Sequence, residues 1–427
     1  MYKKGLSVWF IVILLIISLL AVGCGGKTED KAAAPEKVKV GVILPLTGNL
    51  AQLGQEVNNG FDLATEFVNA KGGVWGKQVE LVKGDAPDAT AATSEANRLI
   101  TREGVKVIAG SYASAVSFAA SEVAERNKVI YWEQGAVADN ISDRHLQYFF
   151  RLIYKASDLG RASAQYVAEL APQLKIDPKD LTVAIMNEDS NYGTAVAAGV
   201  KDIAAKTGMK VVVHEQYSSK TTDLSSVVLK IKQAKPDAII ATSYVPDGIL
   251  FWRQAKENGV SPKIMIGNGG CHNMPDFAAA LGDDVNGVFN AGTSSTFNPD
   301  GLLPDAKALF VEFQTKYEAK YGRKPTAHAA MGFNAMYLLL NQVLPQAGAM
   351  DAEKIKTAAK AMDMPTGSTI VGWGVKFDAD GQNTRAFPMI DQWQSQKVVT
   401  IYPKEFGLTD KVTVPLPAWG KRADVGK

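Results

Sequence analysis

Between residues 105 and 140 the chain reads VKVIAGSYASAVSFAASEVAERNKVIYWEQGAVADN, a strand, a turn, a helix, a second strand and a second turn. Residues 105–109 are a short β-branched apolar run, the pattern of a buried strand. Gly110 breaks it, and Ser111, Tyr112, Ala113 and Ser114 lead into an alanine-rich helix ending near Asn127. Residues 129–132 form the next strand, followed by a turn at Gln134, Gly135, Ala136 and Val137. A β-α-β unit of this kind makes its two strands parallel. In open parallel sheets, ligands sit beyond the carboxyl ends of the strands, against helix N-termini whose free N–H groups attract a carboxylate. Ser111, Tyr112, Ser114, Gln134, Gly135, Ala136 and Val137 are therefore expected to form half of a small-molecule site. Ser114 also suits a helix cap, a role compatible with anion binding.

The same alternation runs through the chain. Strand patterns occur at 38–44, 78–83, 149–153, 181–186, 211–217, 238–243, 263–267 and 285–290. Helical patterns lie between them, at 55–69, 90–103, 159–170, 194–207, 224–233 and 247–258. Strands alternating with helices define the α/β class. The pattern restarts near Tyr154, which suggests two doubly wound, Rossmann-like lobes, with an eight-fold barrel as the competing arrangement at this length. Tyr192 and Tyr244 each follow a strand directly and are candidates for the other half of the site, together with Tyr154 and Asp247. Trp132 ends an apolar strand and is expected in the core. From Leu303 the chain becomes more helical, at 305–321 and 327–343. Residues 370–378 and 387–394, joined at 379–381, suggest a terminal hairpin. The tail at 403–427 shows no readable pattern.

Charge excludes some functions. There are 46 Lys and Arg against 44 Asp and Glu, and Lys3 and Lys4 in the leader account for the difference. A neutral mature chain offers nothing to nucleic acid. The two cysteines and four histidines lack zinc spacing, so neither a metal nor a cofactor is expected. Cys271 and His272 are adjacent, but neighbours in sequence rarely face each other, and no acid–base constellation suggests an enzyme. Residues 1–24 combine Lys3 and Lys4, an apolar stretch at 6–22, and Gly23 before Cys24. This resembles a bacterial lipoprotein signal with Cys24 as the acylated residue. Ala21 stands where leucine is usual. The alternative is an uncleaved anchor helix. Residues 25–37 have the composition of a flexible tether. Either reading places the folded part outside the cytoplasm, held at a membrane.

Several stretches carry a family likeness: KVGVILPLTGNLAQLGQEVNNGFDLATEFVNAKGGVWG at 39–76, VKVIAGSYASA at 105–115, VIYWEQGAVADNIS at 129–142, NEDSNYGTAVAAG at 187–199, DAIIATSYVPDGILFWRQAKENG at 237–259 and FDADGQN at 377–383. Together they span nearly all of the mature domain. The chain resembles the periplasmic leucine/isoleucine/valine-binding proteins, the solute receptors of branched-chain amino acid ABC importers. The resemblance implies a type I periplasmic binding fold of two lobes joined by three crossovers, with the ligand in the cleft. Expected boundaries are 38–155 and 287–365 for the first lobe, and 156–286 and 366–402 for the second. It further implies a monomer that binds a small amino acid, or a related acid or amide, and meets a membrane permease and its ATPase. An extracellular sensory module is the alternative reading.

Carried over by position, Ser114 matches the family's carboxylate-binding serine, and Gly135 a backbone contact to the α-amino group. Tyr192 and Tyr244 match two cleft tyrosines. Other positions depart from the pattern. Val137 replaces a threonine, Gly269 stands where a glutamate pairs with the ammonium, and Leu53 replaces an aromatic ring. Pro87 and Ala113 occupy the places of a disulfide found in some relatives. An ammonium without its carboxylate is left unpaired. Glu133, Asp139 or Asp247 is expected to substitute, or else the ligand is not a plain α-amino acid.

Overall fold

The computed structural model describes residues 36–427, and the lipidation expected at Cys24 lies outside the described residues. Lys37–Lys427 form one unit built on two sheets. The first sheet has the order β2-β1-β3-β4-β5 and is parallel throughout. Its strands are β1 (Val38–Leu44), β2 (Val79–Asp85), β3 (Val107–Gly110), β4 (Ile130–Glu133) and β5 (Phe149–Arg151). The second sheet has the order β12-β11-β10-β9-β8-β6-β7. It contains β6 (Thr182–Glu188), β7 (Lys210–Tyr217), β8 (Ala238–Thr242), β9 (Ile264–Asn268), β10 (Phe289–Gly292), β11 (Met389–Gln394) and β12 (Lys397–Tyr402). In β1 only Lys39 is exposed. Such unbroken burial is expected of a parallel sheet covered on both faces.

Six helices matter for the site: α1 (Ala51–Ala70), α2 (Ser114–Arg126), α3 (Ala156–Leu170), α4 (Asn191–Thr207), α5 (Val245–Glu257) and α6 (Ala327–Leu338). Their starts are written in the sequence. Ser190 caps α4 by accepting from Tyr192 N, and Gly208 ends it at φ +79°. Thr326 caps α6 by accepting from Ala329 N.

Each lobe has one tight helix crossing, made possible by glycine. A Cβ on Gly60 of α1 would lie 2.2 Å from Ala329 O of α6, and one on Gly160 of α3 would lie 2.0 Å from Val196 O of α4. The obstacles are backbone atoms, which cannot rotate away. Gly60→Ala and Gly160→Ala should each lower stability by about 1–3 kcal/mol, the usual cost of overpacking. Urea unfolding measures this, and wild-type midpoints would rule out the tight crossings.

The chain passes between the lobes three times: after β5, after β10 and before β11. The first and third crossings are bonded to each other. Arg151 N donates to Gly381 O at 2.7 Å, and Asn383 N to Arg151 O at 2.8 Å. The Arg151 guanidinium is fully buried and donates to Gln382 Oε1, Ala138 O and Ser142 Oγ.

Three expectations need correction. The terminal hairpin is β11–β12, closed by Ser395 and Gln396 at φ +50° and +58°. That left-handed pair matches the twist of a two-residue hairpin turn. Residues 370–378 form no strand, only isolated bridges from Val375 to Met364 and from Phe377 to Asn383. The lobe boundary expected at 287 falls too early, because β10 pairs with both β9 and β11 in the second sheet. The tail also has structure. Trp419 Nε1 donates to Val260 O, and the buried Arg422 donates to Asp284 O at 2.6 Å.

Candidate functional site

The post-strand turns of both lobes meet around one cavity. It offers about 40 Å³ to the centre of a water-sized group. One water needs about 10–15 Å³ on that measure, so a compact molecule of several heavy atoms fits. The first lobe contributes Tyr112, Ser114, Gly135, Val137, His328 and Met331. The second contributes Tyr192, Tyr244, Gly269, Gly270 and Asn273. The crossings and the first turns of α3 add Ile153, Tyr154, Leu159 and Thr293. The Gln52 amide donates to Asp276 across the two lobes.

Ser114 opens α2, and the preceding Ala113 provides no side-chain cap, so the helix's first N–H groups are open to a ligand. Ser114 Oγ accepts from Ala138 N at 3.2 Å, leaving its proton free to donate. Tyr192 donates to Asn268 O, and its ring packs against Tyr244 with centroids 5.5 Å apart. Tyr112 sits at φ +81°, a costly region for a non-glycine residue, and its ring lies against His328. Tyr154 meets Thr293 Oγ1 at 3.4 Å. Burial raises all four tyrosine hydroxyls well above their usual range, so they stay neutral.

Carboxylates hold these turns from behind. Glu133, at the end of β4, accepts from Ser111 N at 2.6 Å, Gly135 N at 2.7 Å and Ala136 N at 2.8 Å. It is fully buried. Burial raises its carboxyl, and the backbone N–H groups pull it back. Glu188, at the end of β6, accepts from Ser190 N, Ser190 Oγ and Gly193 N. Asp85 at the end of β2 holds Leu46 N and Thr47 in the same way.

Of the twelve expected ligand contacts, eight lie on the cavity wall: Tyr112, Ser114, Gly135, Val137, Tyr154, Tyr192, Tyr244 and Gly269. Ser111, Gln134, Ala136 and Asp247 do not. Ser111 turns its hydroxyl onto Ala113 O, and Ala136 turns its N–H onto Glu133. Gln134 is buried behind the wall. Asp247 folds back on its own helix start, accepting from Tyr244 N at 3.3 Å and Tyr217 OH at 2.7 Å, and burial pushes its carboxyl up to about 7.

None of the three expected substitutes for the missing glutamate lines the cavity. Glu133 and Asp247 are accounted for above, and Asp139 accepts from Ser157 N. Among the described residues, no Asp, Glu, Lys or Arg lines the cavity. Gly269, at φ +56°, has open space where a Cβ would stand, the nearest atom being Tyr192 OH at 3.8 Å. Leu53 is in the core and off the wall, as is Trp132, which donates to Ala335 O. Cys271 and His272 are buried apart from the cavity. The thiol lies against Val245 O, and Trp252 Nε1 donates to His272 Nε2 at 2.9 Å.

Asn273, Thr293, His328 and Met331 were not anticipated as contacts. The first two follow β9 and β10, so the post-strand rule pointed at them. His328 and Met331 come from α6, far along the chain, and carry no local signal.

The comparisons with known proteins agree with this architecture. A periplasmic binding protein family model matches residues 37–396. The "Leu/Ile/Val-binding protein homolog 8" of Brucella abortus is 41% identical over 374 residues, covering 87% of this chain and 92% of that protein. Homolog 7 of the same species is 37% identical, covering 92% and 98%. The crystal structure of a leucine-binding protein, LivK, from Thermotoga maritima superposes with a TM-score of 0.73 at 26% identity, covering 85% of this chain and 97% of that one. Two mostly parallel sheets, a cavity walled by both, and these relatives lead to one conclusion: this chain belongs to the periplasmic binding protein family, of the leucine/isoleucine/valine-binding type.

Proposed function

We propose that the protein is the solute receptor of an ABC importer, working outside the cytoplasm and tethered through lipid on Cys24. It takes a small amino acid, or a related acid or amide, by closing its lobes about the three crossings. The observation that carries this reading is the cavity itself, a small space walled by turns of both sheets. The helix-start N–H groups at Ser114 suit a carboxylate or carbonyl oxygen. The tyrosine rings suit the remainder. No helix among the described residues is long and apolar enough to cross a membrane. In this role the protein hands its ligand to separate permease and ATPase chains.

The test is direct. The protein, purified without residues 1–26, is denatured, and any small molecule released is identified by mass spectrometry. Calorimetry of the refolded protein then measures its affinity. A released amino acid, acid or amide that rebinds supports the proposal. Conversion of the compound to a new product during the titration would indicate an enzyme instead.

A further inference from the structure

This inference rests on the cavity being the ligand site. Among the described residues, two that line it carry a buried polar atom with no hydrogen-bond partner, Asn273 Oδ1 and His328 Nδ1. One belongs to each lobe. Asn273 is 9% exposed and His328 2%. The Asn273 amide nitrogen donates to Thr293 O at 3.2 Å, which fixes the flip and leaves Oδ1 as a bare acceptor. His328 Nε2 faces Tyr112 OH at 3.2 Å, and Nδ1 is left without a partner. Burial pushes the ring's pKa down to about 4, so it is neutral at ordinary pH. Buried polar groups in native proteins are nearly always satisfied, and two orphans on one small cavity point to what fills it.

The charges give the second constraint. The nearby carboxylates are occupied with holding turns, and none reaches the wall. An ammonium enclosed here meets only neutral groups, while an O–H or amide N–H finds its acceptor in Asn273 Oδ1.

We propose that Asn273 and His328 set the specificity, and that the ligand is a small hydroxy acid or amide without an ammonium group. Its carboxylate or carbonyl lies at the start of α2, where Ser114 donates. Its hydroxyl or N–H donates to Asn273 Oδ1, and a second polar atom pairs with His328 Nδ1. The side chain lies against Val137, Leu159 and Met331.

A matched pair of probes tests this. Leucine and 2-hydroxy-4-methylpentanoate differ in having an ammonium or a hydroxyl on the same carbon. Both are titrated calorimetrically into the full chain in detergent. The hydroxy acid is expected to bind at least tenfold more tightly. Asn273→Asp, which supplies a carboxylate, should narrow or reverse that preference. His328→Phe should weaken the hydroxy acid at least tenfold, while the ligand-free melting temperature stays equal or rises. Tighter binding of leucine by the unaltered chain overturns this inference and leaves the receptor reading standing. Failure of both probes to bind overturns this inference, while the released compound decides the receptor reading separately. Unchanged selectivity in both variants, with normal melting, removes Asn273 and His328 from the ligand contacts.

Discussion

Replacing Glu133 with alanine should cost about 3–5 kcal/mol of stability, because several buried N–H donors lose their acceptor together. The carboxylate receives Ser111, Gly135 and Ala136 N–H groups at 2.6–2.8 Å, with Tyr112 N further out at 3.4 Å. Without it, these donors face an apolar interior. Each unsatisfied buried donor costs about 1–3 kcal/mol. Both turns of the first lobe's half-site depend on this side chain, so ligand affinity should fall with stability. Glu133→Gln separates shape from charge. Its amide has one acceptor oxygen, and its NH2 would point at a backbone donor. Urea unfolding should therefore show Gln rescuing only part of the loss. A Gln variant as stable as the parent would mean that the carboxylate does not hold the turns.

The second large effect is on binding. Tyr192→Ala combined with Tyr244→Ala should weaken the ligand by about a thousandfold, since buried aromatic anchors are each worth roughly 2 kcal/mol or more. Both rings are buried, 6% and 8% exposed, and they lean on each other at 5.5 Å. They stand at the starts of α4 and α5, where removing them opens the cavity without cutting a strand. Circular dichroism should remain native. The Phe substitutions keep the rings, and their titrations separate ring contact from hydroxyl contact. An unchanged dissociation constant in the double Ala variant would place the ligand away from the second lobe.

Much of this was legible in the chain because its cues are local. The run VKVGVIL at Val38–Leu44 can only be a covered strand, and the turns after such strands had to face the ligand. Tyr192 and Tyr244 were expected from that rule and from the family likeness, and both line the cavity. Asp247 misled it. The position was right, but a carboxylate in the first turn of a helix has a closer partner in the backbone behind it. The same competition took Glu133 and Asp139 out of the site. The false hairpin at 370–378 arose from apolar spacing that serves core packing, whereas the true turn at Ser395 and Gln396 lacks the usual glycine or asparagine. His328 needed tertiary knowledge, because its neighbour Tyr112 is 216 residues away.

The crossings also dictate an order of assembly. Strands β6 to β10 are encoded in one continuous run, Thr182 to Gly292, and need little else to begin pairing. The first lobe is different. Trp132 waits for Ala335, the α1 glycine waits for α6, and Arg151 waits for Gln382, each more than 200 residues downstream. Contacts of such long separation form slowly. The segment at the front of the chain is thus the last to be completed, and a nascent chain keeps one face of its first sheet short of its full cover until α6 has been delivered.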